Sequence, residues 1–76
     1  PESLRTAAVE GRVVMRFVVD TAGRVERGSV AVVSASHPLF AGAVAPLVPG
    51  LRFRPAEAGG RRVRQLVEMP FEFVLA

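Results

Sequence analysis

The strongest constraint on the fold is a strict alternation of residue type over residues 11–20. Val13, Met15, Phe17 and Val19 occupy odd positions, whereas charged residues occupy three of the five even positions. Successive side chains of a strand point to opposite faces of a sheet, so this period of two predicts a β-strand with one buried face. Such a strand needs partner strands and a layer that covers its odd face.

The following residues predict a turn and a return strand. Residues 20–24 form the turn, with Gly23 placed for a positive φ, and residues 25–34 form the second strand. Val25 occupies an odd position, whereas Val30 and Val32 occupy even ones. All three can face the core only if the strand contains one extra residue between them. An interior strand glycine often marks a bulge, which predicts one at Gly28 and Ser29.

Two helices are predicted. The first covers residues 1–10 and ends at Gly11, and the second opens at Pro38, because proline suits the first helical position. Pro46 removes a helical hydrogen bond, so we expect a kink or a short 3₁₀ stretch before Pro49 and Gly50. The core face of the second helix follows helical spacing: Phe40, Ala43, Val44, Leu47, Val48 and Leu51.

The remaining residues complete a predicted α+β fold. Residues 51–55 are extended with Phe53 inward, residues 56–62 are a Gly-Gly loop, and residues 63–74 form the last strand. The element order is then α-β-β-α-β. A right-handed crossover gives a three-stranded antiparallel sheet in the order 2-1-3, with both helices on one face.

The last strand is a sheet edge, and Pro70 orients it. A proline has no N–H, so its nitrogen must face the unpaired side of the strand. Arg64, Leu66, Glu68 and Glu72 then present free backbone groups outward, and the open edge runs best over residues 64–68. Such an edge suits capture of a partner strand, although its charges and Pro70 equally fit protection against aggregation.

The short chain makes an unpaired sheet edge important for stability. A chain of 76 residues without cysteine builds one small core and no disulfide, so we expect marginal stability that an added strand or subunit would raise.

Other classes of function find little support. His37 with Ser34 and Ser36 resembles a helix cap more than a catalytic triad, so no enzyme is predicted. Glu68 and Glu72 are expected to meet Arg12 or Arg16 across the sheet, and no metal or cofactor is predicted. The net charge of +3 and pI of 11.4 permit nucleic-acid binding, but all five phenylalanines occupy predicted core positions. A flexible loop is favoured over a phosphate site at residues 59–62.

Several segments together resemble one known family. They are residues 9–20 (VEGRVVMRFVVD), 22–25 (AGRV), 30–36, 51–56 (LRFRPA) and 63–73. This pattern is similar to the C-terminal domain of TonB-type energy transducers, and it covers nearly the whole chain. Leu66 stands where the family frequently has a tryptophan.

The resemblance implies a function that composition and spacing do not show. Residues 1–76 would be one periplasmic domain of a longer chain, anchored upstream in the inner membrane of a Gram-negative bacterium and energised by a proton-driven motor complex. The domain would capture the N-terminal box of an outer-membrane β-barrel transporter as an added strand and transmit force for uptake of iron chelates or vitamin B12. The predicted backbone contacts are Arg64, Leu66 and Glu68, with Arg61 and Arg62 attracting acidic residues that flank the box.

A second hypothesis remains open at this point. The free edge would instead pair with a second copy of the chain, as a self-associating interaction domain attached to another membrane protein. Marginal stability and the outward Val14, Val18, Leu66 and Val74 motivate it.

Overall fold

A computed structural model describes residues 10–74 of the chain. Within that range the strands are β1 (Glu10–Val19), β2 (Ala31–Ala35), β3 (Ala56–Ala58), β4 (Arg61–Val63) and β5 (Gln65–Val74). The helix α1 (Pro38–Val44) continues directly into the 3₁₀ helix η2 (Ala45–Gly50), and a second 3₁₀ helix, η1 (Arg27–Ser29), precedes β2. The helix predicted over residues 1–10 lies outside the described residues, except that Glu10 belongs to β1.

The central sheet has the order β2-β1-β5, with both neighbours antiparallel to β1. The predicted α+β class and three-stranded antiparallel sheet are confirmed. The pairing of β1 with β5 is regular over ten residues, from Glu10 opposite Val74 to Val19 opposite Gln65. The element order departs from α-β-β-α-β, since η1, η2 and a second small sheet of β3 and β4 are also present.

The core lies on the odd face of β1, as the alternation predicts. Val13, Met15 and Phe17 are fully buried, and Val19 is almost so. Val25, after the turn, and Val44 and Val48, from the helical layer, complete the buried set of the described residues. Half-buried β5 residues lie at its margin: Val67, Met69, Phe71 and Phe73. The sheet and the helix meet closely at Gly11, where an added Cβ would overlap the Phe40 ring.

The return strand is shorter than predicted, and the bulge is elsewhere. Residues 27–29 form η1 instead of a bulged strand, so β2 begins only at Ala31. The register slips at Val33, because Val14 lies opposite Ser34 whereas Met15 lies opposite Val32. Val32 lies opposite the buried Met15 but is 45% exposed in this edge strand, so its predicted burial in the core is wrong.

The predicted 3₁₀ stretch is present, and it alters the buried face of the second helix. From Ala45 onward the residues that contact the core are Ala45, Val48 and Leu51, which are three apart. A 3₁₀ helix has three residues per turn instead of 3.6, so Leu47 rotates outward and is 68% exposed. Ala43 is also exposed, and both residues were wrongly predicted to face the core.

The extended segment after η2 packs as predicted, but the following loop is a hairpin. Phe53 contacts Phe17 with ring centroids 5.5 Å apart, and its N–H donates to the Gly23 carbonyl at 2.8 Å. Gly59 and Gly60, at φ of 58° and 77°, form the two-residue turn between β3 and β4. Positive φ at both turn positions matches the twist of antiparallel strands, which explains why a hairpin replaces the predicted loop.

Candidate strand-binding edge

The outer side of β5 is the candidate functional site. Within the described residues β5 pairs only with β1, so its other side is an unpaired edge ten residues long. The opposite edge of the sheet is β2, which has five residues and carries the register slip at Val33. Bulges and short strands obstruct edge pairing, so β5 is the more suitable edge for an added strand.

Hydrogen bonds on the β2 side of β1 establish which backbone groups of β1 face β5. The Arg12 N–H donates to Ser36 Oγ at 3.0 Å, and the Arg12 carbonyl accepts from the Ser36 N–H at 2.9 Å. The Val18 N–H donates to Ser29 Oγ, and its carbonyl accepts from the Glu26 N–H. Even-numbered residues of β1 therefore bond toward β2. Because strand residues alternate in this direction, the odd-numbered residues bond toward β5.

The register carries this alternation into β5. Odd-numbered residues lie opposite each other, as Met15 does to Met69, and exchange the hydrogen bonds of the ladder. Leu66 and Glu68 lie between such pairs, so their N–H and C=O groups point away from β1. Pro70 belongs to the same outward set and has no N–H to offer, which interrupts the edge at that position.

The side chains of this outward set cover the solvent face of the sheet. Arg12 pairs with Glu72 at 3.7 Å and Arg16 with Glu68 at 3.5 Å, so the predicted cross-strand ion pairs are present. Leu66 is 65% exposed on this face, opposite the half-buried Val18.

Arg64 differs from its predicted environment. It lies between β4 and β5 and not within a continuous strand over residues 63–74. Its guanidinium donates two hydrogen bonds to the Glu26 carboxylate, at 2.6 and 2.7 Å, which holds the residue at this junction. These hydrogen bonds lower the pKa of Glu26 from its ordinary value of 4.5 and raise the pKa of Arg64. A bidentate pair of this kind restricts the geometry of both side chains.

The two other predicted site residues, Arg61 and Arg62, lie on opposite faces of β4. Arg61 and Arg62 are adjacent on β4, and neighbouring strand residues project to opposite sides. Arg62 lies opposite Glu57 and lines an open groove with Arg54, Pro55 and Glu57. Arg54 was not predicted from the sequence as a candidate site residue. Its outward position could have been predicted, because Phe53 is inward and adjacent residues of an extended segment point to opposite sides. Glu26 was also missed, since no local pattern gave a signal for it.

His37, the histidine considered for catalysis, has a local structural role. His37 Nδ1 accepts from the Leu39 N–H at 3.1 Å, so His37 caps α1 as predicted. Over residues 10–74, no group of three or more His, Asp or Glu side chains is placed to hold a metal ion. In the same range, no helix has the length and apolarity to cross a bilayer.

One protein family matches this chain. Curated protein sequences yield no match. A family model described as "Gram-negative bacterial TonB protein C-terminal" matches residues 1–75. Since the match spans nearly the entire chain, this protein belongs to the family of TonB C-terminal domains.

Proposed function

We propose that this domain binds the N-terminal box of an outer-membrane transporter by strand addition at β5 and transmits force for active uptake. The observation that carries the proposal is the regular edge of β5, which is unpaired among residues 10–74 and directs the N–H and C=O groups of Leu66 and Glu68 outward. An extended peptide laid along this edge satisfies those groups as a fourth strand.

Family membership supports the wider setting. A TonB C-terminal domain implies a role in TonB-type energy transduction, interaction with TonB-dependent transporters of the outer membrane and a periplasmic location. On this proposal residues 1–76 are one domain, joined upstream to an inner-membrane anchor and to a proton-driven motor complex. Siderophores or vitamin B12 are the expected cargo class of the transporter.

Strand addition suits force transmission. When a strand is pulled along its own axis, the hydrogen bonds of the ladder are loaded together, although each contributes only about 0.5 to 1.5 kcal/mol. The ion pairs of Glu68 and Glu72 with β1 lie across the outer face, so they leave the backbone of the edge free.

The residues assigned to the contact follow from the edge geometry. Leu66 and Glu68 supply two outward backbone positions, and Arg64 continues the edge toward β4 while its side chain stays paired with Glu26. Of the two arginines expected to attract acidic residues, Arg62 is on the face of the groove, and Arg61 is on the other face of β4.

A proline pair tests the proposal. Leu66→Pro removes an N–H that points outward, so the fold is retained and binding of an extended transporter-box peptide is abolished. Val67→Pro is the matched control: it removes an N–H that bonds to β1, so it unfolds the domain. Circular dichroism and peptide titration measure the two effects, and wild-type affinity in folded Leu66→Pro would rule out this edge.

A second candidate function is self-association, favoured by the 65% exposure of Leu66 beside the open edge. In that case β5 of one copy pairs with β5 of another, and the domain serves as an interaction module attached to another membrane protein.

A further inference from the structure

We propose that the outer surface of α1 and η2 docks on a bilayer that contains anionic phospholipids. This surface is named here the helical face, and its exposed residues from Leu39 onward are apolar or small: Leu39, Gly42, Ala43, Pro46, Leu47 and Gly50. The helical face belongs to the layer that covers the sheet, whereas the strand-binding site proposed above is the β5 edge. Docking on a bilayer is therefore independent of strand addition.

The helical layer is apolar on both sides. Residues 38–51 (PLFAGAVAPLVPGL) are all apolar, proline or glycine. The core uses one side, through Val44 and Val48, and the other side leaves Leu39 76% and Leu47 68% exposed. A helix that is apolar on all sides is typical of a protein core or a lipid environment. A run of about 14 apolar residues is too short to cross a bilayer and suits a segment that lies in its interface.

The apolar surface extends to the neighbouring sheet edge. Val32 of β2 lies opposite the buried Met15, so its side chain is on the covered face of the sheet. It is nevertheless half exposed, because β2 is an edge strand beside α1. Val32 therefore adds an aliphatic side chain at the rim of the helical face.

Charge around the helical face is basic. Residues 27–56 contain no Asp or Glu, and their charged residues are Arg27, Arg52 and Arg54. Arg52 is placed at the end of η2, because its guanidinium donates to two carbonyls there, at 3.1 and 3.3 Å. Its antiparallel bridge partner is Arg24, and neither arginine forms a salt bridge among residues 10–74. Like charges opposite each other repel, so lipid phosphates at this position would relieve the repulsion.

The acidic residues closest to Arg24 in the sequence already have partners. Glu26 pairs with Arg64 through two hydrogen bonds. Asp20 Oδ1 accepts from two backbone N–H groups of the turn after β1, both at 2.9 Å. Within the described part of the chain, Arg24 and Arg52 therefore remain available to anionic groups outside the protein.

The size of the helical face favours lipid over a protein partner. The helix α1 has seven residues, and η2 has six. At rises of about 1.5 and 2.0 Å per residue and a width of about 10 Å, they offer only about 220 Å². A stable protein interface needs about 800 Å² from each partner. Insertion of leucine side chains into a bilayer needs no complementary surface, and anionic headgroups add an attraction for each nearby arginine.

Binding of the 76-residue chain to phospholipid vesicles tests the docking. The vesicles contain phosphatidylcholine alone or phosphatidylcholine with about one-third phosphatidylglycerol, at low ionic strength. We expect the chain to float with the anionic vesicles and to bind the neutral ones at least about tenfold more weakly. Binding to the anionic vesicles should weaken as salt is added, because salt screens the attraction.

Matched leucine variants locate the contact on the helical face. Leu39→Gln with Leu47→Gln should lower the affinity for anionic vesicles by about tenfold or more, because both side chains leave the hydrocarbon. Leu66→Gln is the control: Leu66 is similarly exposed but lies on the opposite face of the sheet, so vesicle binding should be unchanged.

Two arginine pairs separate local charge from net charge. Arg24→Gln with Arg52→Gln should lower the affinity for anionic vesicles about tenfold. Arg12→Gln with Arg16→Gln removes the same two charges from the opposite face of the sheet and should have a much smaller effect. Circular dichroism verifies that each variant is folded.

Four results would overturn the docking. They are the absence of binding by the folded wild-type chain at low salt, equal binding to neutral and anionic vesicles, wild-type binding by Leu39→Gln with Leu47→Gln, and equal losses in the two arginine pairs. A concentration-dependent dimer that the leucine pair weakens, without vesicle binding, would instead assign the helical face to a second copy of the chain.

Discussion

Glu26 and Arg64 are 38 residues apart in the sequence, yet their bidentate pair joins the loop before η1 to the start of β5. The contact fixes the junction between the hairpin and the edge strand. No spacing or periodicity relates the two residues, because the contact arises only when β1 brings both neighbouring segments together. Gly23 is the contrasting case: its turn was predictable from local sequence, and its φ is 82°.

The Glu26–Arg64 pair predicts a pH dependence of stability. The pKa of Glu26 is lowered in the folded state, so the stabilisation is complete above the ordinary value of 4.5 and is lost as the pH falls through the lowered pKa. Glu26→Gln should therefore lower the urea midpoint at about pH 7, and the difference should shrink as the pH falls below 4.5 and through the lowered pKa. A Glu26→Gln difference that persists unchanged at the acidic pH would contradict this role.

At the scale of the elements, the buried face of β1 and the outward set of β5 were predictable from the sequence. The buried face of the helical layer was less predictable. A period of two identifies the buried face of a strand directly, and Pro70 identified the outward set of β5 without knowledge of its partner. The predicted burial of Leu47 is wrong because it requires 3.6 residues per turn beyond Pro46, where the chain forms the 3₁₀ helix η2. The β3–β4 hairpin was not predictable in the same way, because two adjacent glycines fit a flexible loop as well as a two-residue turn.

The register of η2 predicts unequal losses of stability when two adjacent residues are truncated. Val48 is fully buried, so Val48→Ala should lower the free energy of unfolding by about 2 kcal/mol. Leu47 is 68% exposed, so Leu47→Ala should change it by less than about 0.5 kcal/mol. Chemical denaturation measures both, and a larger loss for Leu47→Ala would support a continuous α-helix through Pro46.

At the scale of the whole molecule, residues 10–74 form a sheet with a helical layer on one face, and β5 is an edge strand of that sheet. The β2 edge is short and carries a register slip. Among the described residues β5 is therefore the regular edge of the three-stranded sheet. The sequence predicted where the edge lies, because strand parity and Pro70 are local properties. The groove lined by Arg54, Pro55, Glu57 and Arg62 combines residues of β3, β4 and the segment before β3, so composition alone did not reveal it.

Self-association, unlike capture of a partner strand, makes the oligomeric state of the isolated chain depend on protein concentration. We expect the isolated chain to sediment as a monomer up to about millimolar protein, a range in which weak pairing of marginal edges would already be visible. A dimer whose population rises with concentration, and whose formation is blocked by Leu66→Pro, would instead support the self-associating module.

Amide hydrogen exchange along β5 tests strand addition most directly. In the free domain the odd-numbered residues of β5 should be protected by β1, and the amides of Leu66 and Glu68 should exchange rapidly. Addition of an extended transporter-box peptide should slow exchange at Leu66 and Glu68 and leave the odd-numbered residues nearly unchanged. Protection that appears only in α1, η2 or β2, with Leu66 and Glu68 still exchanging rapidly, would contradict binding at this edge.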